Sequence, residues 1–232
     1  MIRFSELESL GLRVAAMTER RDGDCRLSGP GSPREVCCAA LGIAPEHLVC
    51  GQQVHGLRIA VAGETERGRG ALRHDAALPA TDGIVTALPG LPLAVFIADC
   101  VPVFLFAPDE GVAGLVHAGR QGTRENIVGS AMAVMGEHFG VSPRAVHAVI
   151  GPSAGPLRYE VSEALAADWA EAGWSGEGRL LNLWETNRLQ LRSAGVPAGQ
   201  IYQAGLCTIE DGRFFSYRRG DQQARNMALV ML

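Results

Sequence analysis

The sequence predicts a mixed α+β fold in a single domain. Three observations carry this. Helical and strand-like stretches are interspersed, yet several strands follow one another with no helix between them, which disfavours a regular doubly wound sheet. Leu93 to Ala98 is apolar throughout, and Val112 to Val116 is apolar apart from one glycine; short Val- and Ile-bearing runs of this kind read as buried strands. The 232 residues contain no internal repeat, low-complexity tract or linker, so 1–232 is read as one domain.

In chain order, Leu12 to Met17 is the first predicted strand. Thr18 to Gly31 is polar and rich in Arg, Asp and Gly, hence a loop. Ser32-Pro33-Arg34-Glu35 is a helix start: Ser caps, Pro suits the first helical position and Glu35 completes a capping box. That helix should run to about Leu41 and stop at Gly42. Leu48 to Val54 and Leu57 to Ala62 read as strands, with a charged, glycine-rich loop from Gly63 to Pro79 whose His74 faces solvent. A turn at Thr81-Asp82 leads into a strand, and strands then end at Cys100, cover Val103 to Phe106, and end at His117.

Arg124 to Phe139 has the clearest helical period, with Ile127, Val128, Ala131, Met132, Val134, Met135 and Phe139 on one broad face. Thr123 is its predicted cap, and Glu125 suits the positive end of its dipole. Ala145 to Ile150 is a strand. Val161 to Ala172 and Leu183 to Ala194 are helices, the second capped at Asn182 and stopped by Gly195. Ile201 to Thr208, Phe214 to Tyr217 and Met227 to Leu232 read as closing strands.

Composition limits the function classes. Hydrophobic residues make up 47% and charged residues 20%, as in an ordinary globular protein. A net charge of −4 supplies no basic face for nucleic acid. No apolar run approaches the ~20 residues that span a membrane, and the first residues lack the apolar core of a signal peptide. Six cysteines without CxxC spacing then read as reduced thiols of a cytoplasmic protein. The expected partners are small molecules, and the expected state is a monomer. Glycine, at 29 residues, is in excess of the usual ~7% and points to tight turns and backbone close to a ligand.

Three residues that can ligate metal end strand-like segments: His55, Cys100 and His117, separated by 45 and 17 positions. Two imidazoles and a thiolate suit Zn²⁺ with a fourth position open to water or substrate. Cu²⁺ accepts the same donors, so ligand type does not select the metal. Two other readings stay open: Cys100 as a metal-free nucleophile with His117 or His55 as base, and a buried free cysteine beside hydrogen-bonded histidines.

After His117, Gly119-Arg120-Gln121-Gly122-Thr123-Arg124 leads into the predicted helix. A glycine-bearing loop entering a helix offers backbone N–H groups to an anion, and two arginines strengthen it. Arg120, Gln121 and Arg124 are therefore candidate phosphate or carboxylate contacts. Asp82 and Asp99 are the nearest carboxylates in sequence, either to orient a histidine or to act in acid–base chemistry; Asp82 before Gly83 also fits a plain turn. Asp99, between an apolar run and Cys100, is read as catalytic. The tail Asp211 to Arg219 mixes aromatics with three arginines. It fits stacking on a base and holding phosphate or ribose through Arg218, or a core strand with Phe inward and Arg outward.

Several segments occur together in one order: Gln53-Val54-His55-Gly56, Asp82-Gly83-Ile84-Val85-Thr86, Ala98-Asp99-Cys100-Val101-Pro102-Val103, Val116-His117-Ala118-Gly119, Ile150-Gly151-Pro152, Tyr159-Glu160-Val161, Asn182-Leu183-Trp184 with Asn187-Arg188, and Cys207-Thr208 before Arg213 to Arg219. From about residue 45 to 232 the chain resembles the laccase-domain family once called multicopper polyphenol oxidases, whose members include purine nucleoside phosphorylases. The resemblance implies a four-layer α/β/β/α fold with mixed sheets, also seen in cysteine-dependent toxin deamidases. It implies His55, Cys100 and His117 as zinc ligands. It implies phosphorolysis of adenosine, inosine and methylthioadenosine to base and pentose 1-phosphate, with adenosine deaminase activity and a claimed copper-dependent phenol oxidation. On this reading Asp82 joins Arg120, Gln121, Arg124 and Arg218 as a substrate or phosphate contact. Alternatives are a metal-free Cys–His hydrolase or deamidase, and a non-catalytic ligand-binding relative. The chain departs from the family where His-Ala-Gly-Trp-Arg-Gly becomes His117-Ala118-Gly119-Arg120-Gln121-Gly122: the Trp is absent and the arginine stands one place earlier.

Overall fold

Two mixed β-sheets pack face to face, and helices cover both outer faces. The structure is a computed structural model that describes residues 1–26 and 28–232; Leu27, inside the predicted Thr18 to Gly31 loop, lies outside the described residues. In chain order the elements are β1 (Ile2–Arg3), α1 (Ser5–Glu8), β2 (Val14–Met17), α2 (Pro33–Ala40), β3 (Val49–Cys50), β4 (Ile59–Val61), β5 (Gly83–Thr86), β6 (Leu93–Ile97), β7 (Val101–Ala107), β8 (Val112–Ala118), α3 (Arg120–Arg124), α4 (Ile127–Phe139), β9 (His147–Ile150), α5 (Glu163–Glu171), β10 (Gly176–Glu177), β11 (Leu180–Leu181), α6 (Leu183–Ser193), β12 (Ile201–Gln203) and β13 (Asn226–Met231). The first sheet has the order β1-β2-β13-β6-β3 and the second β12-β9-β7-β8-β5-β4. Each combines antiparallel pairs with parallel edge strands: β3 on β6 in the first sheet, and β4 on β5 and β12 on β9 in the second.

The period-2 alternation of the strands builds the layers. Val101, Val103, Leu105 and Ala107 of β7 face the helices α4 and α6, whereas Phe104 and Phe106 face the first sheet. In β13, Ala228 and Val230 fill the space between the sheets, and Met227, Leu229 and Met231 pack beside Cys37 and Cys38 of α2. The result is the expected α/β/β/α stack: α2, first sheet, second sheet, then α4 and α6. β13 lies at the centre of the first sheet, so the last strand in sequence closes its core. Among the described residues no helix is long and apolar enough to cross a membrane.

Several boundaries differ from the sequence reading, each for a local reason. The predicted 124–139 helix starts only at Ile127, as α4. Asn126 takes a left-handed conformation (φ 67°), which Asn tolerates, and its side chain accepts from Gly129 N–H to cap α4 in place of Thr123. The supposed loop before it is α3. The strand from Leu48 stops at Cys50 because the Gln53 side chain takes over the edge of β6: its Nε2 donates to Phe96 O and its Oε1 accepts from Phe96 N–H, both at 2.8 Å.

Phe214 to Tyr217 is not a strand. Its backbone is satisfied by side chains, with Asn226 Oδ1 accepting from Phe215 N–H at 3.0 Å and Asp221 Oδ2 from Ser216 N–H at 3.0 Å. The predicted strand from Ile201 ends at Gln203, and Ser153 bridges to Cys207 beyond it. At α2 the Ser32 side chain accepts from Glu35 N–H as expected, but Glu35 reaches Gly31 N–H rather than closing the box on Ser32. The sequence reading did not assign β1, α1 or the β10–β11 hairpin.

Candidate metal centre

Strand pairing brings two of the three candidate ligands together. β7 and β8 are antiparallel with Pro102 opposite His117, so Cys100, just before β7, falls beside the end of β8. His117 has the parity of Ala113 and Leu115 and stands on the face between the sheets. His55 arrives on the loop between β3 and β4, which runs alongside β5. One donor atom from each of His55, Cys100 and His117 lies within 4.8 Å of the others. The two imidazole centroids are 4.9 Å apart, edge to face.

Asp82 holds this arrangement. Its carboxylate is fully buried, and Oδ1 accepts from His117 Nδ1 at 2.8 Å. It also accepts from three successive backbone N–H groups, Val54 at 3.1 Å, His55 at 3.0 Å and Gly56 at 2.8 Å. His55 is left-handed (φ 62°), which turns these three amides towards one anion, as in a backbone nest. Asp82 is thus neither a simple turn residue nor turned to the cavity as a substrate contact: it orients both histidines. With Nδ1 engaged, His117 offers Nε2 to the cluster.

Charge at the site is paired. Burial opposes the thiolate of Cys100, but the charge and hydrogen bonds of His117, then His55, outweigh it and bring the thiol down to about 6. Burial likewise opposes the His117 imidazolium, and Cys100 and Asp82 outweigh it to raise His117 to about 9. For Asp82 burial acts upward, and the His117 and amide hydrogen bonds hold it below the ordinary carboxylate range.

The donor set fits a metal ion. Ligands about 2.0–2.3 Å from a tetrahedral Zn²⁺ stand about 3.3–3.8 Å apart, within reach of the observed spread. The backbone also makes room. A Cβ on Gly119 would lie 2.8 Å from His55 Cδ2 and 3.2 Å from Cys100 Sγ. This glycine is a site residue that motif spacing did not reveal.

A cavity of about 660 Å³ opens over the three residues. Four arginines line it: Arg26, Arg120, Arg218 and Arg225. Among the described residues, none of the four is in an ion pair with a carboxylate. Arg218 lies over the Tyr159 ring, 4.6 Å to its centroid, and donates to Glu160 O at 2.6 Å. Arg26 and Arg225 were missed because they stand in segments remote from every motif, and only the fold gathers them.

Of the remaining candidates, Gln121 lines the cavity, with its amide donating to Glu125. Arg124 does not line it; its guanidinium makes a two-pronged pair with Asp168 at 2.9 and 3.0 Å. α3 has five residues and is pinned to α6, where Asn187 Nδ2 donates to Thr123 Oγ1 at 3.2 Å and Gln190 Nε2 to Thr123 O at 2.6 Å. Of this stretch, Arg120 and Gln121 line the cavity. Asp99 reaches the cavity wall, but its oxygens accept from Thr208 Oγ1 at 2.6 Å and Arg218 N–H at 2.8 Å.

Comparison with known proteins places the sequence and the fold. A family model described as "Multi-copper polyphenol oxidoreductase laccase" matches residues 31–232. A protein of Geobacillus stearothermophilus named purine nucleoside phosphorylase YlmD is 37% identical over 187 residues, covering 75% of this chain and 68% of that one. A protein of Corynebacterium glutamicum named purine nucleoside phosphorylase is 38% identical over 208 residues, 87% of this chain and 80% of that one. The crystal structure of YlmD from Geobacillus stearothermophilus superposes with a TM-score of 0.83 at 32% identity, covering 94% of this chain and 91% of that chain. That of the Bacillus licheniformis protein YfiH gives 0.85 at 32% identity, covering 94% and 92%. With fold and sequence in agreement, the chain belongs to the multi-copper polyphenol oxidoreductase laccase family.

Proposed function

We propose that the protein is a zinc-dependent purine nucleoside phosphorylase that also deaminates adenosine. The observation that carries this is the His55/Cys100/His117 cluster at the floor of a cavity whose four arginines lack carboxylate partners among the described residues. Guanidinium groups without a protein counterion suit an anionic co-substrate, and inorganic phosphate is the anion phosphorolysis consumes. The names of the relatives support the same reading.

In this reading His55, Cys100 and His117 hold Zn²⁺, which supplies Lewis acidity and lowers the pKa of bound water. Asp82 fixes the tautomer of His117 and the loop of His55. Arg120 and Arg218 bind phosphate and carry its charge as it attacks the pentose C1′. The new C1′–O bond forms as the C1′–N bond breaks, the base leaves with the proton that phosphate gives up, and pentose 1-phosphate remains. Adenosine, inosine and methylthioadenosine are the proposed substrates. For deamination, water replaces the exocyclic amine of adenosine and ammonia departs.

The test is direct. Purified protein with adenosine and phosphate yields adenine, and without phosphate yields inosine. Cys100→Ala loses both activities together with the metal. Absence of turnover of adenosine and inosine under both conditions overturns the proposal.

One observation favours a second reading. Cys100 lies beside His117, which pulls its thiol down while Cys100 and Asp82 raise the imidazole, an arrangement that suits a metal-free Cys–His hydrolase or deamidase. Metal analysis separates the two: stoichiometric zinc that is lost in His55→Ala and His117→Ala excludes a free thiol nucleophile. Copper in place of zinc, with phenol oxidation, would point instead to the oxidase reading.

A further inference from the structure

Four of the six cysteines lie in the layer between α2 and the first sheet, far in sequence from Cys100. Two of them are in contact. Cys25 Sγ is 3.7 Å from Cys37 Sγ, with both side chains buried. Cys25 belongs to the segment that follows β2, and Cys37 lies inside α2. The two segments are tightly joined. Arg34 of α2 donates from Nε to Cys25 O at 2.9 Å and from NH2 to Arg26 O at 2.8 Å. Gly23 (φ 85°) lies so close to Pro33 that a Cβ would sit 2.7 Å from its ring. The sulfurs therefore need about 1.7 Å of approach to reach a disulfide length of about 2.05 Å.

We propose that Cys25 and Cys37 form a dithiol–disulfide couple, a modification site for a small peroxide on the segment that carries Arg26 to the cavity. The two sulfurs are not equivalent. Cys25 S–H donates to Cys37, which raises Cys25 and lowers Cys37 relative to an ordinary thiol. Cys37 is also the one that keeps some exposure, 4% against none for Cys25. Cys37 thiolate attacks hydrogen peroxide, the S–O bond forms, the O–O bond breaks, and the departing hydroxide takes the Cys25 proton to become water. Cys25 thiolate then attacks the Cys37 sulfenic sulfur, the S–S bond forms, the S–O bond breaks, and hydroxide leaves as water after taking a proton from solvent. In sum, two thiols and one peroxide give one disulfide and two waters.

The link has a route to the cavity. Arg26 follows Cys25 directly and lines the cavity wall. Arg34 stacks on Phe96, 4.7 Å to its centroid, and Phe96 lines the same wall. Closing the disulfide re-aims Arg26 and so changes the affinity for anions. This consequence rests on the phosphate reading above, whereas the couple itself does not.

The full chain is treated with a tenfold excess of hydrogen peroxide, alkylated, digested and read by fragmentation mass spectrometry. A peptide pair joined through Cys25 and Cys37, reversed by dithiothreitol, is the expected result. It is retained in Cys38→Ser and absent in Cys37→Ser; should that variant not fold, the fragment ions of the wild type decide alone. No link, or a link to Cys38 or Cys50 instead, overturns the proposal. In turnover assays the KM for phosphate shifts at least threefold on oxidation in the wild type and not in Cys25→Ser. A linked protein with unchanged KM overturns the coupling to the cavity, and absence of turnover in both redox states instead refutes the phosphorylase reading.

Discussion

Gly119→Ala isolates the space that the metal centre needs. The backbone at Gly119 is extended (φ −70°, ψ 175°), a conformation any residue adopts, so alanine adds no backbone strain there. The whole effect is the added methyl. Carbon atoms pack at about 3.5–4.0 Å, and the new Cβ lies 2.8 Å from His55 Cδ2, so the ring must retreat by about 0.7–1.2 Å. Metal sites hold their ligand distances to within about 0.2 Å. His55 is exposed and swings outward more easily than buried His117, which weakens one of three protein ligands. Zinc affinity should fall about 10- to 100-fold, a loss of about 1.4–2.7 kcal/mol. Chelator competition measures it, with circular dichroism and the Tm of the metal-free protein as controls for folding. Zinc affinity within twofold of wild type, with the fold intact, would refute the argument that Gly119 clears the ligand sphere.

Three further outcomes are expected. Asp82→Asn removes the charge that holds His117 Nδ1 and three backbone amides; zinc affinity falls about 10- to 100-fold by chelator competition, and the Tm falls because a buried network is broken. Arg120→Ala raises the KM for phosphate about tenfold without lowering the Tm, because the residue is in no ion pair among the described residues and stands near other arginines. Asp221 tests pH dependence. The hydrogen bond from Arg20 holds its carboxyl below the ordinary range, so its stabilisation is complete above that range and is lost as pH falls through the depressed native value. Partly exposed, this pair contributes up to about 1 kcal/mol. Asp221→Asn should therefore lower the Tm by up to about 4 °C at pH 7, with the difference from wild type shrinking towards about pH 3.

The parts of the fold written in local periodicity were legible. The β7 and β8 runs, the α6 cap at Asn182 and the apolar face of α4 follow from residues a few positions apart, and the structure has them. What failed was backbone whose partner is a distant side chain. Gln53 standing in for a strand on Phe96 and Asn226 satisfying Phe215 are tertiary substitutions for a ladder, and alternation in Phe215, Tyr217 and Arg219 could not report them. The same limit applies to the site. His55, Cys100 and His117 stood out as rare residue types near predicted strand ends, and the fold brings them together, with His55 on the loop between β3 and β4. Arg26 and Arg225 did not, since an arginine in a polar loop carries no signal until the fold turns it to a cavity.

The two buried aspartates of the site show how its geometry is maintained. Non-glycine residues with positive φ are uncommon, and two of them are here: His55 at 62°, within the cluster, and Asp99 at 84°, next to Cys100. Each is held by a carboxylate. Asp82 gathers the amides around His55. Asp99 uses its own oxygens to hold Thr208 and the backbone of Arg218, fixing a cavity arginine in the process. A carboxylate with both oxygens engaged by fixed donors is poorly placed to exchange protons with substrate. Fixed donors on their oxygens suit Asp82 and Asp99 to positioning their neighbours. Carboxylates here stabilise a strained backbone that aims His55 and Cys100, and the strain is tolerated because each residue that carries it is tied to groups from distant parts of the chain.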